Sequence, residues 1–234
     1  MKTLVLLTGR KNSSLRGKNL LEIMGNPCMY YPISSAKAAL GKDADYFCSS
    51  DCTDILDFSS LYGFTPIHRP PELASDSALH IDVLNHAMSK IDCLDYQSIL
   101  VLLANAPVIH KNWIKKSVTL LASNPDITAV IPTIVDQDHH PFRSRYVNEF
   151  GFLESFFPNQ NIISSNRQEL PSAHFPAHNF WLIRLHNGRL VSNGDAPWDF
   201  FGDKVLPMTL PVTISDIHTE FDLIKLESEW SLWN

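Results

Sequence analysis

Thr3-Leu4-Val5-Leu6-Leu7-Thr8-Gly9-Arg10 is the stretch from which the rest of the chain is read. Its run from Leu4 to Leu7 is apolar without alternation, which fits a strand buried on both faces, the place of a central parallel strand. The chain continues as Lys11-Asn12-Ser13-Ser14-Leu15-Arg16-Gly17-Lys18-Asn19. Gly9 and Gly17 permit a tight turn, and Arg10, Lys11, Arg16 and Lys18 place four cations within nine residues past the strand's carboxyl end. Ligands of open α/β sheets sit at that end. A phosphate or triphosphate is the natural guest, because ammonium, guanidinium and exposed loop amides all donate charge-assisted hydrogen bonds to it. A merely solvated basic loop is the competing reading, since neither the P-loop pattern nor GxGxxG is present.

Outward from this loop the chain alternates. Leu20 to Ile23 reads as a short extended piece before the turn Gly25-Asn26-Pro27. A helix is expected from about Met29 to Leu40, ended by Gly41, then a strand over 45–49 and a helix from Thr53 to Tyr62, ended by Gly63. Phe64 to Ile67 is extended, and the proline-stiffened segment from His68 to Ser77 leads into a helix over 79–89 that Ser75, Asp76 or Ser77 is placed to cap. Ser98 to Leu103 is the second clear core strand, followed by a helix over 111–122 and a strand over 129–134. Strand and helix in alternation predict a mostly parallel sheet.

From about 136 to 176 the helical period is lost and aromatic and polar residues mix. This excursion is a lid, a dimerisation arm, or both, since extended segments added to a partner cover open edges. Phe180 to Leu185 returns as a strand, 188–197 reads as loop, and Val212 to Ser215 runs as a strand into a last helix reaching about Trp230. Pro197-Trp198-Asp199-Phe200-Phe201 fits core or interface somewhat better than a lid over a ligand. The division predicted is one domain over 1–234 with that excursion.

Composition narrows the class. The chain has 234 residues, 44% apolar, and a formal net charge of -6. The basic loop therefore stands out against an acidic whole, which argues against a nucleic-acid or anionic-membrane partner and for a small anionic ligand. No membrane-length apolar run and no secretory signal are legible, and Cys28, Cys48, Cys52 and Cys93 read as reduced thiols, so a cytoplasmic protein is expected.

Three further groupings carry chemistry. Asp216 and His218 are two apart at a strand-to-helix junction, so both reach one side of an extended chain and suit a divalent cation, although capping by Asp216 or Thr219 explains the same residues. Asn166-Arg167-Gln168-Glu169-Leu170-Pro171 offers an arginine to clamp a carboxylate or to form a surface salt bridge. Asp51, Asp76, Asp82 and His86 are candidates for base or ribose contacts, with Asp82 and His86 also spaced as an i,i+4 surface pair.

Taken in order, these pieces resemble the acylneuraminate cytidylyltransferases, also called CMP-sialic acid synthetases. Gly9 to Asn19 is similar to the family's opening ARxGSKxxPxKN, one residue shorter; Ser49-Ser50-Asp51 to its STD; and Arg69-Pro70-Pro71-Glu72-Leu73-Ala74-Ser75-Asp76 to its RPxELAxD. Arg167-Gln168-Glu169-Leu170-Pro171 matches RQxLP, and Asp216-Ile217-His218-Thr219-Glu220-Phe221-Asp222 matches DIDTExD. The resemblance implies a Rossmann-like, glycosyltransferase-A-like nucleotidyltransferase fold with a mostly parallel sheet. It also implies a homodimer that couples CTP to a 2-keto-3-deoxy sugar acid, giving a CMP-sugar and pyrophosphate.

On that resemblance Arg10, Lys18 and Asp216 are catalytic. Gly9, Arg10, Lys18, Asn19, Ala74, Asp76 and Ser77 bind the nucleotide; Asn105, Arg143, Arg167 and Gln168 face the sugar acid; and Asp216 with His218 holds Mg²⁺. Three departures stand out: Ser14 for a lysine, His218 for the second metal-binding aspartate, and Ala104-Asn105-Ala106-Pro107 for a loop reading QPTSP. They leave open a catalytically weakened CTP-binding protein, or an enzyme for another sugar acid.

Overall fold

A computed structural model describes residues 1–11, 15, 17–157, 164, 166–211 and 217–230. Along the chain run β1 (Thr3–Thr8), β2 (Glu22–Ile23), β3 (Asn26–Pro27), α1 (Tyr30–Leu40), β4 (Ala44–Ser50), α2 (Thr53–Leu61), β5 (Thr65–His68), α3 (His80–Met88) and β6 (Ser98–Leu103). They continue with α4 (Lys111–Ser123), β7 (Ala129–Val135), β8 (Arg145–Val147), β9 (Leu153–Ser155), β10 (His174–Pro176), β11 (Phe180–Arg184), β12 (Val205–Thr209) and α5 (Glu220–Glu229).

All six residues of β1 are buried because it lies between two parallel neighbours with helices over both faces. Successive side chains alternate across the sheet. Val5 and Leu7 therefore join Ile33 and Ala36 of α1, Ile55 and Leu56 of α2, and Ile114 and Leu121 of α4 in one core. Leu4 and Leu6 point the other way, onto Leu84, Ala87 and Met88 of α3 with Trp181, Phe200 and Phe201. Each fully buried leucine contributes about 1.5–3 kcal/mol, so a charge at Leu6 would unfold the centre of the sheet.

β5, β4, β1 and β6 are parallel neighbours; β11 follows antiparallel to β6, β7 antiparallel to β11, and β12 parallel to β7. Thr8 is level with Ser49 of β4 and Leu103 of β6. The chain therefore leaves all three strands at one edge, and the loops beginning at Gly9, Asp51 and Ala104 emerge together. A depression of about 720 Å³ near Met1, Lys2 and Lys115 lies toward the opposite, amino end of β1.

Several expectations are corrected. Leu20 to Ile23 is not one extended piece: a 3-10 turn over Lys18–Leu20 precedes β2, with Gly17 at φ 67° in the left-handed region that favours glycine. α3 has Leu79 at its N-cap without a side-chain hydrogen bond, because Ser75, Asp76 and Ser77 lie in a turn closed by Ala78 N donating to Ser75 O at 3.3 Å, which ends before the helix begins. Asp82 and His86 form no ion pair among the described residues; His86 turns Nδ1 into buried surroundings. β12 and the 3-10 turn Asp199–Phe201 went unread, since their patterns mix proline, aromatics and isolated polar residues.

The excursion leaves β7 through a 3-10 turn at Pro141–Arg143, forms the antiparallel hairpin β8–β9, and returns as β10 along β7. The expected strand over 212–215 lies outside the described residues, as do Asn12, Ser13, Ser14, Arg16 and Asp216. The last helix starts at Thr219, whose hydroxyl accepts from Asp222 N while Asp222 accepts from Thr219 N, a capping box.

Candidate active site

At the shared carboxyl edge a cleft of about 460 Å³ is lined by the β1 loop (Gly9, Arg10, Lys18, Asn19), Arg69, His80, Asn105, His178, Trp198 and His218. Its cationic part is built on the ends of core strands. Gly9 N donates to Ser49 O at 3.3 Å and Lys11 N to Asp51 Oδ1 at 2.9 Å, which ties the loop to the end of β4. A Cβ on Gly9 would lie 3.0 Å from Ala104 Cβ and 3.2 Å from Asn19 Nδ2, so the close approach of the β1 and β6 loops favours glycine.

Lys18 is nearly buried, and its Nζ donates to Ile217 O at 2.9 Å. Asn105 Nδ2 donates to the same carbonyl at 3.2 Å, and Ile217 N donates to Asn105 O at 2.9 Å. These bonds bring the segment ahead of α5 against the β1 and β6 loops, across 199 residues of sequence. Asn19 donates to Arg10 O at 3.0 Å, whereas its Oδ1 is buried and meets no partner among the described residues. Arg10 reaches outward: Nη1 donates to Ser75 O at 2.8 Å and pairs with Asp76 at 2.9 Å. Ala74 presents its carbonyl to the same guanidinium at 3.5 Å, and Ser77 hydrogen-bonds Ser75 through their hydroxyls at 3.2 Å.

Arg69, the first residue of the Arg69-Pro70-Pro71-Glu72 segment, forms a wall of the cleft. Its Nε donates to Ser49 Oγ at 3.2 Å and Nη2 to Ser49 O at 2.7 Å. Burial pulls its pKa down to about 10, opposed by the charge of Asp51, so it remains a cation at neutral pH. His80 is the reverse case: burial, then His178, Arg69 and Arg10, all disfavour its imidazolium and lower its pKa. By surface area His80 is an exposed residue on the wall of the cleft, so neighbouring protein crowds its ring without sealing it from solvent. Its edge meets Trp181 at 5.0 Å. His80, His178 and Trp198 were all missed as site residues; the aromatic pair around Trp198 was the only signal for them, and it reads equally as core.

The four expected sugar-facing residues separate. Asn105 lines the cleft, whereas Arg143, Arg167 and Gln168 are exposed on the excursion and do not line it. Arg167 pairs with Asp138. His218 also lines the cleft, and its N–H donates to Asp222 Oδ2 at 2.9 Å. Among the described residues no three His, Cys, Asp or Glu side chains gather as a cation site. The four cysteines are buried and form no disulfide among the described residues, and burial raises the Cys48 thiol to about 11.

A mostly parallel sheet with helices over both faces and its loops gathered over one carboxyl edge is a Rossmann-like α/β fold. Solved structures agree. The chain superposes on a CMP:2-keto-3-deoxy-manno-octonic acid synthetase complexed with CTP with a TM-score of 0.69 at 15% identity, covering 99% of each chain. On a 4-diphosphocytidyl-2C-methyl-D-erythritol synthase from Anaerococcus prevotii the score is 0.64 at 12% identity, covering 98% of this chain and 96% of the other.

In sequence the chain is similar to acylneuraminate and pseudaminic acid cytidylyltransferases. It is 25% identical over 186 residues to an N-acylneuraminate cytidylyltransferase of Streptococcus agalactiae, spanning 72% of this chain and 44% of that one. A pseudaminic acid cytidylyltransferase of Campylobacter jejuni is also 25% identical over 186 residues, spanning 77% and 78%. The alignment thus covers less than half the length of the streptococcal relatives. No protein-family model matches the chain. No helix among the described residues is long and apolar enough to cross a membrane.

Proposed function

We propose that this protein is a cytidylyltransferase that joins CMP from CTP to a nonulosonic, sialic-acid-like sugar acid. The observation that carries the reading is the convergence of Arg10, Lys18, Asn19, Arg69 and Asn105 on one cleft at the carboxyl edge. Its relatives' printed activities supply the donor and the class of acceptor.

A hydroxyl of the acceptor attacks the α-phosphorus of CTP. The new oxygen–phosphorus bond forms, the bond from that phosphorus to the bridging oxygen breaks, and pyrophosphate leaves; the hydroxyl proton passes to solvent. Such a reaction needs positioning and charge neutralisation above all. Lys18 and Arg10 meet the phosphate oxygens, Asn19 braces the loop that presents them through its bond to Arg10 O, and Arg69 holds the nucleoside flank. Arg10 exchanges Asp76 for phosphate when the nucleotide arrives.

Mg²⁺ at Asp216 and His218 belongs to the same reading. Its support is the place of His218 in the cleft, and one imidazole is not by itself a magnesium site. No step above is therefore assigned to the ion; chelation followed by Mg²⁺ return tests it, and full activity in chelator removes it. The excursion is proposed as the contact of a homodimer, on the strength of its exposed Phe150, Phe152, Leu153 and Phe156.

Pyrophosphate release from CTP, Mg²⁺ and pooled eight- and nine-carbon 2-keto-3-deoxy sugar acids, with each component omitted in turn, tests the activity. Release that requires both CTP and an acid is expected. Thermal stabilisation by CTP without release favours the weakened CTP-binding protein, to which Ser14 and His218 point.

A further inference from the structure

The cleft has a second, aromatic wall that the reaction above leaves unused. His80 enters from the start of α3, His178 from the turn into β11, and Trp198 from the loop ahead of the Asp199–Phe201 turn. Trp198 is part-buried and braced from behind. It stacks on Phe201 with the rings 17° from parallel at 6.0 Å, and His178 leans on it at 5.2 Å. Phe201 in turn packs edge-on against the wholly buried Trp181 at 5.4 Å, and His178 meets Trp181 at 5.8 Å. An indole needs no polar cleft beside it to pack, yet this one keeps part of its surface in a cavity otherwise rich in charge and amides.

Position says which reactant it meets. The phosphates are anchored at the β1 loop, and the acceptor must approach the α-phosphorus from a flank that the nucleoside leaves open. Arg69 and Asp51, beyond β5 and β4, provide planar polar groups on one side of β1. Trp198 and His178 belong with β11, on the other side of β1, and share the cleft with Asn105. Arg143, Arg167 and Gln168 stay outside it, so the acceptor-side wall inside the cleft is aromatic.

We propose that Trp198 is a specificity-determining residue for the acceptor, its indole taking the apolar carbon face of a cyclic sugar acid while His178 acts as a positioning residue for the indole. The inference rests on the cytidylyltransferase reading and deepens it. Polar groups of the acid then turn toward Asn105, and the indole rewards a ring with a continuous carbon face over an open-chain acid.

The test uses the full chain with Trp198→Ala and Trp198→Phe. Calorimetry measures binding of CTP, and then of N-acetylneuraminate and 2-keto-3-deoxy-manno-octonate to the CTP complex; pyrophosphate release gives KM and kcat. Trp198→Ala should raise the KM of whichever acid is used by about three- to tenfold, the scale of one aromatic contact, with the Kd for CTP moving less than about twofold. Trp198→Phe should recover most of the loss, and it carries the test if the alanine variant does not fold. A weakened CTP Kd with the acceptor KM unmoved assigns the indole to the nucleoside and overturns the inference. No change in either, in a folded variant, does the same.

The two readings fail separately. A wild type that binds an acid through Trp198 without releasing pyrophosphate sinks the activity and keeps the acceptor wall. Turnover indifferent to both variants sinks the wall and keeps the activity. A wild type that binds neither acid overturns both.

Discussion

The β1 loop and the excursion over 136–176 meet solvent in opposite ways. The described part of the loop is tied down by bonds to the surrounding scaffold: Gly9 to Ser49 of β4, Lys11 to Asp51 just past it, Asn19 to Arg10 within the loop, and Lys18 to Ile217 ahead of α5. The hairpin β8–β9 is held by bonds within itself, such as Asn148 Nδ2 to Glu154 Oε1 at 2.8 Å, while Phe150 and Phe152 are 74% and 69% exposed. Charge is held by a rigid scaffold, and apolar surface by a self-contained hairpin. A cleft for phosphate must be fixed before its ligand arrives. An apolar surface gains its energy only when something covers it.

The sharpest break would come at Lys18. Lys18→Met should cut turnover by roughly 10- to 150-fold, because a hydrogen bond to a charged group contributes about 1.5–3 kcal/mol, and should reduce thermal stabilisation by CTP. Turnover unchanged in a folded variant removes Lys18 from the phosphate site. At the other pole, Phe150→Ser with Phe152→Ser and Leu153→Ser should weaken self-association by at least about tenfold in sedimentation, the scale of losing buried apolar side chains, while CTP affinity holds. A wild type that is already monomeric at micromolar concentration would undo the contrast.

Two smaller effects sharpen the scaffold side. Asp76, 94% exposed in its side chain, is the counter-ion that Arg10 gives up. Asp76→Asn should tighten CTP by about two- to fivefold, the range of a surface ion pair, and a calorimetric Kd that weakens instead makes Asp76 a ligand. His80 is read through stability against pH. Its native pKa lies below the ordinary 6.5, so below about pH 6.5 the unfolded chain binds more protons than the native one. Stability should therefore fall on acidification through that range, and His80→Asn should flatten the slope in denaturant titrations; an unaltered slope refutes the burial argument.

Much of this was legible from residue order. The run Leu4–Leu7 and the stretch Ser98–Leu103 are central strands because their unbroken apolar pattern fits only burial on both faces. Gly41 and Gly63 mark helix ends at positive φ, where glycine is the favoured residue. β12 was hidden because Val205-Leu206-Pro207-Met208-Thr209 has a proline within it, which local pattern reads as a break, although among the described residues β12 pairs with β7 alone and so leaves an edge where proline is tolerated. Of the site, Gly9, Arg10, Lys18 and Asn19 were legible as a cluster close in sequence. Arg69, His80, His178 and Trp198 were not, being drawn from segments as far as 129 residues apart, from Arg69 to Trp198.

The sequence by itself therefore determined the parallel core, the basic loop at its carboxyl edge and, through ordered motifs, the kind of protein to expect, since each rests on contacts or spacings that are local along the chain. Tertiary structure alone decided that Lys18 and Asn105 share the carbonyl of Ile217 and that an indole from the far side of the sheet stands in the same cleft. It also decided that both expected sugar-facing arginines, Arg143 and Arg167, stay outside the cleft. Those outcomes depend on how strand register brings distant loops to one edge, and register is settled by burial across the whole sheet rather than by any one segment.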